Sequence, residues 1–538
     1  MKKQEKNALS LRGYMLCYHQ MHDWTPWFGP SAEALPELLD AMQEVRLNTL
    51  LVEYETYFPW SGRLAPIKCK DAFTKSQIGD LRKACATRGS ELVPLVQVLG
   101  HVYHILIHPE FRACAEDAKL TQQLCPLAEE SFELAKELID QTLRLHPECR
   151  HLHIGGDECR MLGHCPRCRA YAKKHGFGAL FGNYMARVAN YVLSKGVTPI
   201  MWHDIALNHP ECLDLFDKRV LFNFWNYGTA SHGDAEWELG RLLARVPASR
   251  VICSPGARIE AQNGAIHHFP SLTEANILKL NKLAKDKGAL GTILTDWPDT
   301  GCSFYDSRYA LRAQGKASTT GGASLRLFRQ NYAKKFLGTD IPGLVDKLDA
   351  IAGSTLSARG FPYHRGHFLD RYAWIPYDFD ELVRTVQASR ASGEGHLVLF
   401  RQAGQLAAAQ NLRECMEAAL PRCSRNLHEA NWYRLLALLT ETFVTVDMAL
   451  RKECLVTADG TKLPEPTALR RYESREYAQK ALALLDESEK AWLAFHKGLA
   501  AERPLRNHAK ELFPKALRDG LKNFITNGFT TGNKETKK

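Results

Sequence analysis

The chain has 538 residues, of which 45% are hydrophobic and 24% are charged, and its formal net charge is +10. It is too apolar for a disordered chain, and it has no apolar run of the ~20 residues that cross a bilayer. The positive charge is modest for this length, and no basic stripe with interleaved aromatic residues indicates a nucleic-acid partner. We expect more than one domain, or one large barrel with an appendage.

The cysteine pattern indicates a reducing compartment. The 15 cysteines are odd in number and lack the regular spacing of a disulfide framework. The charged N-terminus is not followed by an apolar segment typical of a signal peptide. These features predict a cytoplasmic protein with reduced thiols.

The first part of the chain alternates short apolar runs with longer amphipathic stretches. The runs predict eight strands, at residues 11–18, 48–54, 91–99, 151–154, 197–202, 220–225, 250–254 and 290–296. The stretches between them predict helices, among them 31–45, 75–87, 127–145 and 181–194. Eight strands that each precede a helix predict an α/β fold, a (β/α)8 TIM barrel. A doubly wound sheet is the alternative, but no G-x-G-x-x-G follows the first strand.

The pattern changes in the C-terminal part of the chain. Residues 323–337 are expected to form the last barrel helix, and beyond them no strand is predicted between about 380 and 500. Helical periodicity predicts a bundle from the segments 380–391, 397–420, 429–454 and 470–498. We therefore predict a barrel domain at 1–340, a helical all-α domain at 341–527 and a flexible tail at 528–538. Long amphipathic helices also permit a homodimer.

Polar and aromatic residues gather directly after the predicted strands. They are His101 after the third, Asp157 and Glu158 after the fourth, Trp202 and Asp204 after the fifth, Trp225 and Tyr227 after the sixth, and Trp297 and Asp299 after the eighth. In a barrel all of these positions converge on the C-terminal rim, where active sites are built.

The sequence HIGGDE, residues 153–158, carries the strongest chemical signal. Two glycines let the backbone turn sharply and let a ligand approach closely. Two adjacent carboxyl groups in a partly enclosed site repel each other, so the pKa of one is expected to rise and that of the other to fall. Such a pair suits glycoside cleavage, whose transition state resembles an oxocarbenium ion. The alternative is that Asp157 and Glu158 only cap the next helix.

HIGGDE resembles the signature of family 20 glycoside hydrolases, the β-N-acetylhexosaminidases, with the closer likeness to the hexosaminidase D branch. Supporting segments are LVEYE at 51–55, PLVQ at 94–97, WHD at 202–204, WNY at 225–227 and LTDW at 294–297. The likeness spans about residues 9–340. It implies an exo-acting, retaining enzyme in which the 2-acetamido oxygen of the sugar attacks the anomeric carbon, so that an oxazolinium intermediate forms without a cofactor.

The resemblance also implies residue roles. Glu158 is the general acid and then the base, and Asp157 orients the acetamido N–H. A tyrosine donates to the acetamido oxygen, with Tyr227 as the first candidate and Tyr305 as the second. Three tryptophans, Trp202, Trp225 and Trp297, surround the acetamido group. Arg12 and Asp299 bind sugar hydroxyls, and Asp204 is a further contact. His101 supports the acid through a carboxylate, for which Glu55 is the nearest candidate.

A separate group of cysteines follows the two acids. Cys159, His164, Cys165 and Cys168 are of zinc-ligand type, but only one C-x-x-C pair is present. Reduced thiols on a loop are the alternative. Two other functions remain open: a non-catalytic carbohydrate-binding or scaffold barrel, and a zinc-dependent hydrolase. The expected partner is a glycan with a terminal β-linked GlcNAc or GalNAc, with neither nucleic acid nor membrane involved.

Overall fold

The computed structural model describes residues 8–18, 30–117, 119, 122–228, 233–258, 268–297, 303–352, 363–365, 373–375, 395–453, 468–499, 506, 509–510, 512–513 and 515–527. These residues form two compact units whose main division falls between residues 327 and 328, while residues 268–270 group with the second unit. The predicted domain boundary at 340 stays a prediction.

The first unit is built around a closed barrel of eight parallel strands in sequential order. The strands are β1 Leu11–Cys17, β2 Thr49–Glu53, β3 Glu91–Leu95, β4 His151–His153, β5 Thr198–Trp202, β6 Leu221–Trp225, β7 Val251–Ser254 and β8 Gly291–Leu294. The barrel closes where β1 pairs with β8. The predicted (β/α)8 barrel and all eight predicted strands are confirmed.

Helices follow the strands on the outside of the barrel. They are α1 Leu35–Glu44, α2 Lys75–Thr87, α3 Tyr103–Leu106, α4 Glu129–Leu145, α5 Pro166–His175, α6 Phe177–Ser194, α7 Asp204–Asn208, α8 Ala235–Leu243, α9 Pro270–Lys287 and α10 Arg308–Thr320. Local sequence explains their ends. Thr74 and Gln77, for example, form a reciprocal capping box at the start of α2.

The last barrel helix differs from the prediction of residues 323–337. α10 follows β8 and packs against β1, β8 and α1, so it holds that position. It ends at Gly321, whose φ of +65° is left-handed, and Gly322 has a φ of +78°. Left-handed glycines end helices because they carry no Cβ. Residues 326–337 form only a short helix, α11 Arg326–Gln330, and a π-turn.

Side chains that alternate along the strands fill the barrel interior. Met15 and Cys17 of β1 and Ile200 and Trp202 of β5 belong to this core, and all four are buried. A Cβ at Gly13 would lie 2.7 Å from Cγ1 of Ile293, so this layer has room only for glycine. Trp202 ends β5 and therefore covers the core at the C-terminal rim.

The second unit is helical in its described residues apart from the short pair β9 Tyr363–Arg365 and β10 Ala373–Ile375. Its helices are α12 Leu344–Ile351, α13 Gly395–Ala419, α14 Leu427–Glu453, α15 Ala468–His496 and α16 Lys515–Asn527. α14 packs against both α13 and α15. The predicted helical region is thus confirmed, while the predicted helix at 380–391 and tail at 528–538 lie outside the described residues. Within the described ranges, no helix has the length and apolar character needed to cross a lipid bilayer.

Candidate active site

The turn after β4 delivers two acids to the rim. Gly155 and Gly156 have φ values of +64° and +92°. A Cβ at Gly155 would lie 1.9 Å from Oε1 of Gln97, and one at Gly156 would lie 2.8 Å from Cε of Met185. Glycine is therefore required at both positions, and the turn directs Asp157 and Glu158 away from the strand.

Gly155→Ala is expected to destabilise the protein by roughly 2–3 kcal/mol, because it combines a left-handed Cβ with displacement of Gln97 from its hydrogen bond to Glu53. Gly62→Ala is the matched control, since Gly62 has a similar φ of +60° but no heavy atom within 4 Å of its added Cβ. It should cost only about 1 kcal/mol. Urea unfolding of both variants measures the difference, and equal losses would contradict a crowded turn.

Backbone strain marks three rim positions that are not glycine. Glu55 after β2, His101 after β3 and Glu158 after β4 have φ values of +44°, +53° and +46°. Each such conformation costs about 1–3 kcal/mol, and strained residues of this kind cluster at functional sites. The strain therefore marks the rim of three consecutive strands as a candidate site.

His101 joins the two consecutive acids. Its Nε2 lies 3.3 Å from Oδ2 of Asp157 and 3.5 Å from Oε2 of Glu158. Burial disfavours a positive charge on the ring, but Asp157 and then Glu158 outweigh it and raise the pKa of His101 well above its ordinary value. Glu55 faces Nδ1 of His104 at 3.5 Å, and its role as a carboxylate partner of His101 stays a prediction. His101 contacts the acid directly.

Asp204 is a third carboxyl group at the site. Its Oδ2 accepts the backbone N–H of Glu158 at 2.9 Å. Burial, together with the charge of Asp157, raises the pKa of Asp204 to about 7. Burial also opposes ionisation of Glu158, but His101 and Arg160 outweigh it and lower the pKa of Glu158. At this site the carboxyl group with the raised pKa is therefore Asp204, and Glu158 is the member of the adjacent pair whose pKa falls.

Buried polar atoms without partners mark where a ligand would bind. Oδ1 of Asp157, Oδ1 of Asp204 and Nε1 of Trp202 are buried and have no hydrogen-bond partner among the described residues. Native proteins rarely leave such atoms unpaired, because each costs about 1–3 kcal/mol. Two acceptors and one donor at the rim therefore match a polar ligand.

Aromatic side chains lie beside the carboxyl groups, and we call Trp202, Trp225, Tyr227 and Trp297 the aromatic wall. The rings of Trp202 and Trp297 are 5.9 Å apart, and Trp225 stacks on Tyr227 at 5.4 Å. The indole N–H of Trp297 donates to the Tyr227 hydroxyl at 2.6 Å. The Tyr227 hydroxyl also lies 3.1 Å from Oγ1 of Thr295. The backbone N–H of Trp202 donates to the carbonyl of Gly155 at 3.0 Å, which joins this wall to the turn after β4.

Two of the predicted substrate residues, Arg12 and Tyr305, have hydrogen-bond partners outside this group. Arg12 lies at the opposite end of β1, where its guanidinium donates to the carbonyls of Arg46 and Leu9 at 2.9 and 2.6 Å. Because β1 runs from Arg12 toward the C-terminal rim, Arg12 lies at the other end of the barrel. The prediction that it binds sugar hydroxyls is therefore wrong. Tyr305 donates to Glu37 on α1 at 2.6 Å. Asp299 lies outside the described residues, so its role stays a prediction.

The predicted zinc group is only partly brought together. The structure places Cys165 and Cys168 beside Cys125 and Glu116. Cys159 instead contacts the carbonyl of Asp157 at 3.5 Å, and His164 faces Asp117 at 3.7 Å. The prediction that Cys159 and His164 belong to this cluster is therefore wrong.

Sequence reasoning missed a buried charge network at the end of β8. Asp296 accepts hydrogen bonds from Tyr14 and Ser307, and its Oδ1 lies 2.7 Å from Nε of Arg258. Its members come from β1 and from the segments after β7 and β8. The signal in sequence was Asp296 within LTDW, but nothing there identified its partners.

The comparisons with known proteins address the same part of the chain. Residues 31–241 match the family described as glycosyl hydrolase family 20, catalytic domain. "Hexosaminidase D" of Homo sapiens is 33% identical over 186 residues, which cover 34% of this chain and 38% of that protein. "Hexosaminidase D" of Bos taurus is 31% identical over 186 residues, 34% of this chain and 54% of that protein. The chain thus matches about half or less of the length of these relatives.

Solved structures are also similar to this chain. A chitobiase from Flavobacterium johnsoniae has a TM-score of 0.49 at 16% identity and covers 96% of this chain and 78% of its own. A β-N-acetylhexosaminidase from Bacteroides fragilis has a TM-score of 0.44 at 18% identity, with 57% and 65% covered. The family match includes the turn with Asp157 and Glu158, and its curated relatives carry the name of the predicted branch. Residues 31–241 of this chain are therefore similar to the catalytic domain of glycosyl hydrolase family 20.

Proposed function

We propose that this protein is an exo-acting, retaining β-N-acetylhexosaminidase that removes terminal β-linked GlcNAc or GalNAc. The single observation that carries the proposal is the pair of Asp157 and Glu158 bridged by His101, with Asp204 on the backbone N–H of Glu158, beside the indoles of the rim. The group lies within the family match, and curated relatives bear the name hexosaminidase D.

Glu158 is the proposed general acid and base. Its carboxylate holds Arg160, whose Nη2 lies 2.7 Å from Oε1, while Oε2 faces the protonated His101. When the glycosidic oxygen takes the place of Arg160, Glu158 loses the charge that stabilises its anion, and a proton from His101 can reach it. Glu158 then protonates the leaving oxygen and afterwards removes a proton from the attacking water.

Asp157 is the proposed partner of the acetamido group. Its Oδ2 is held by His101, while its unpaired Oδ1 can accept the acetamido N–H. This contact turns the acetamido oxygen toward the anomeric carbon, where it displaces the aglycone. The anionic carboxylate also stabilises the positive charge of the oxazolinium intermediate. Asp204, with its raised pKa, adds little repulsion and fixes the backbone of Glu158.

The aromatic wall is proposed to bind the sugar. Trp202, Trp225 and Trp297 offer flat apolar surfaces to the acetamido methyl and the pyranose face. Tyr227 stays the first candidate to donate to the acetamido oxygen, because its hydroxyl lies among the indoles, 2.6 Å from Nε1 of Trp297. Tyr305, whose hydroxyl is held by Glu37, stays the second.

We also propose a cytoplasmic location and a homodimer. The cysteines in the described part of the chain are free thiols, which suits a reducing compartment. Long amphipathic helices permit pairing of two chains. Fractionation and light scattering test the two points separately.

The activity is tested with p-nitrophenyl glycosides. The β-GlcNAc and β-GalNAc compounds should be hydrolysed, whereas the β-glucoside, which lacks an acetamido group, should not. A GlcNAc thiazoline, which resembles the cyclised intermediate, should inhibit competitively and more tightly than GlcNAc. A folded protein that hydrolyses neither acetamido substrate would overturn the proposal. Calorimetric binding of GlcNAc in that case would favour a carbohydrate-binding barrel.

Arg160→Gln should shift the pH profile of kcat/KM. Arg160 lowers the pKa of Glu158, so its removal raises that pKa. A general acid must be protonated, and activity is lost as the pH rises through its pKa; the basic limb should therefore move to higher pH. Arg187→Gln, which removes a surface pair with Glu129 at 2.7 Å, is the control and should leave the limb in place. A limb that moves to lower pH would contradict the role of Glu158.

A further inference from the structure

Three cysteines and a glutamate lie close together beside the barrel, separate from the candidate active site with Asp157 and Glu158. Their sulfur and oxygen atoms all lie within 4.8 Å of one another, in a group formed by Cys125, Cys165, Cys168 and Glu116. Sγ of Cys125 is 3.4 Å from Sγ of Cys168 and 3.9 Å from Sγ of Cys165. We name these four residues the Cys3Glu cluster.

The backbone brings the cluster together from two loops. Ala115 and Leu124 form an antiparallel bridge, which sets Glu116 and Cys125 side by side on its two arms. Cys165 is the N-cap of α5, and its Sγ accepts the backbone N–H of Cys168 at 3.2 Å. The C-x-x-C pair of the second loop therefore faces the two residues of the first.

The carboxyl group of the cluster is buried in mostly apolar surroundings. Glu116 is only 2% exposed, and its Oε2 has no hydrogen-bond partner within the described ranges. The surrounding residues are mostly apolar and include Ala128, Ala172 and Leu180. A buried carboxylate in such surroundings needs a cation or a full set of donors.

The spacing suits a tetrahedral zinc ion. Zinc binds thiolates at about 2.3 Å, which separates sulfurs by about 3.8 Å at tetrahedral angles. The sulfur distances of 3.4 and 3.9 Å lie on either side of this value. A disulfide accounts less well for the cluster. It would join two of the sulfurs, leave the third cysteine as a thiol, and give the Glu116 carboxylate no partner. Nη2 of Arg167 lies 3.3 Å from Sγ of Cys125 and would offset part of the thiolate charge.

We infer that the Cys3Glu cluster binds one structural Zn²⁺, with three thiolates and the Glu116 carboxylate as its ligands. Four protein ligands close the coordination shell, which is typical of structural sites and not of hydrolytic ones. The ion ties the loop before α4 to the loop that follows Glu158. Those loops also meet where the backbone N–H of Met161 donates to Gln123 at 3.0 Å. This inference is independent of the proposed hydrolase activity.

The test is metal analysis of the full chain, produced with zinc in the medium and purified without chelators or a histidine tag. Mass spectrometry of the elements should find about one zinc per chain and little iron or copper. Cys125→Ala and Cys168→Ala should reduce this to below about 0.1 zinc per chain. Cys159→Ala and Cys253→Ala, which remove buried thiols outside the cluster, should retain it.

A second measurement covers variants that do not fold. Mercurial titration of the wild-type protein should release the zinc, detected with a chromogenic chelator, as three thiols are modified. X-ray absorption at the zinc edge should show three sulfur ligands and one oxygen or nitrogen ligand. A wild-type protein without zinc, zinc retained in Cys168→Ala, or a disulfide between Cys125 and Cys168 in the native protein would each overturn the inference.

Discussion

Glu158→Gln is expected to lower kcat/KM on p-nitrophenyl β-GlcNAc by about 10²–10⁴-fold, the usual contribution of a general acid and base. Glutamine keeps the size of the side chain but can neither donate the proton to the leaving oxygen nor accept one from water. The loss should be larger for substrates with poor leaving groups, because these depend most on protonation. Steady-state kinetics with aryl leaving groups of graded acidity measures both effects.

The control for this variant is Glu129→Gln, since Glu129 lies on α4 and pairs with Arg187 at the surface. It should retain full activity. Added azide should restore turnover of Glu158→Gln on the activated substrates, because a small anion attacks without needing a base. A Glu158→Gln protein that retains activity within about threefold of wild type would remove Glu158 from the mechanism.

Asp157→Asn should lower kcat by about 10²–10³-fold, with a smaller change in KM. The amide can still fill the site, but it has no negative charge to stabilise the oxazolinium ion. It also weakens the contact with His101, which is 3.3 Å from Oδ2 of Asp157. Because the thiazoline inhibitor resembles the intermediate, its affinity should fall in parallel with kcat.

Asp140→Asn is the matched control, because Asp140 pairs with Lys195 and Tyr191 at the surface of the barrel. Its kinetics should not change. A loss of kcat in Asp157→Asn with undiminished thiazoline affinity would show that Asp157 does not act on the acetamido group. A fall in both, with the melting temperature preserved, separates the proposed role from simple unfolding.

The sequence predicted the barrel because its strands are short apolar runs between amphipathic stretches, a pattern that depends only on local periodicity. It also predicted the rim residues, since each follows a strand directly. The last barrel helix was predicted at residues that follow the true one in the chain. Gly321 and Gly322 end α10, but no proline follows them to mark the end of the helix in the sequence. Apolar periodicity continues past them.

The errors at the site have one physical origin, which is that sequence neighbours are not spatial neighbours. Arg12 is the second residue of β1, so the direction of the strand places it at the end opposite the C-terminal rim. Cys125 and Glu116 are some 40 or more residues from Cys165, so only the fold could reveal the Cys3Glu cluster. The pKa values of Glu158 and Asp204 likewise depend on Arg160, His101 and burial, which no motif reports.

The central claim is that the acetamido oxygen of the sugar is the nucleophile, and a series of N-acyl substrates tests it most directly. Fluorination of the acetyl methyl withdraws electrons from this oxygen and leaves the glycosidic bond unchanged. From N-acetyl through fluoroacetyl and difluoroacetyl to trifluoroacetyl p-nitrophenyl glucosaminides, kcat/KM should fall steadily, by more than about tenfold overall. A kcat/KM that is the same for all four substrates would contradict the claim and point to a nucleophile in the protein.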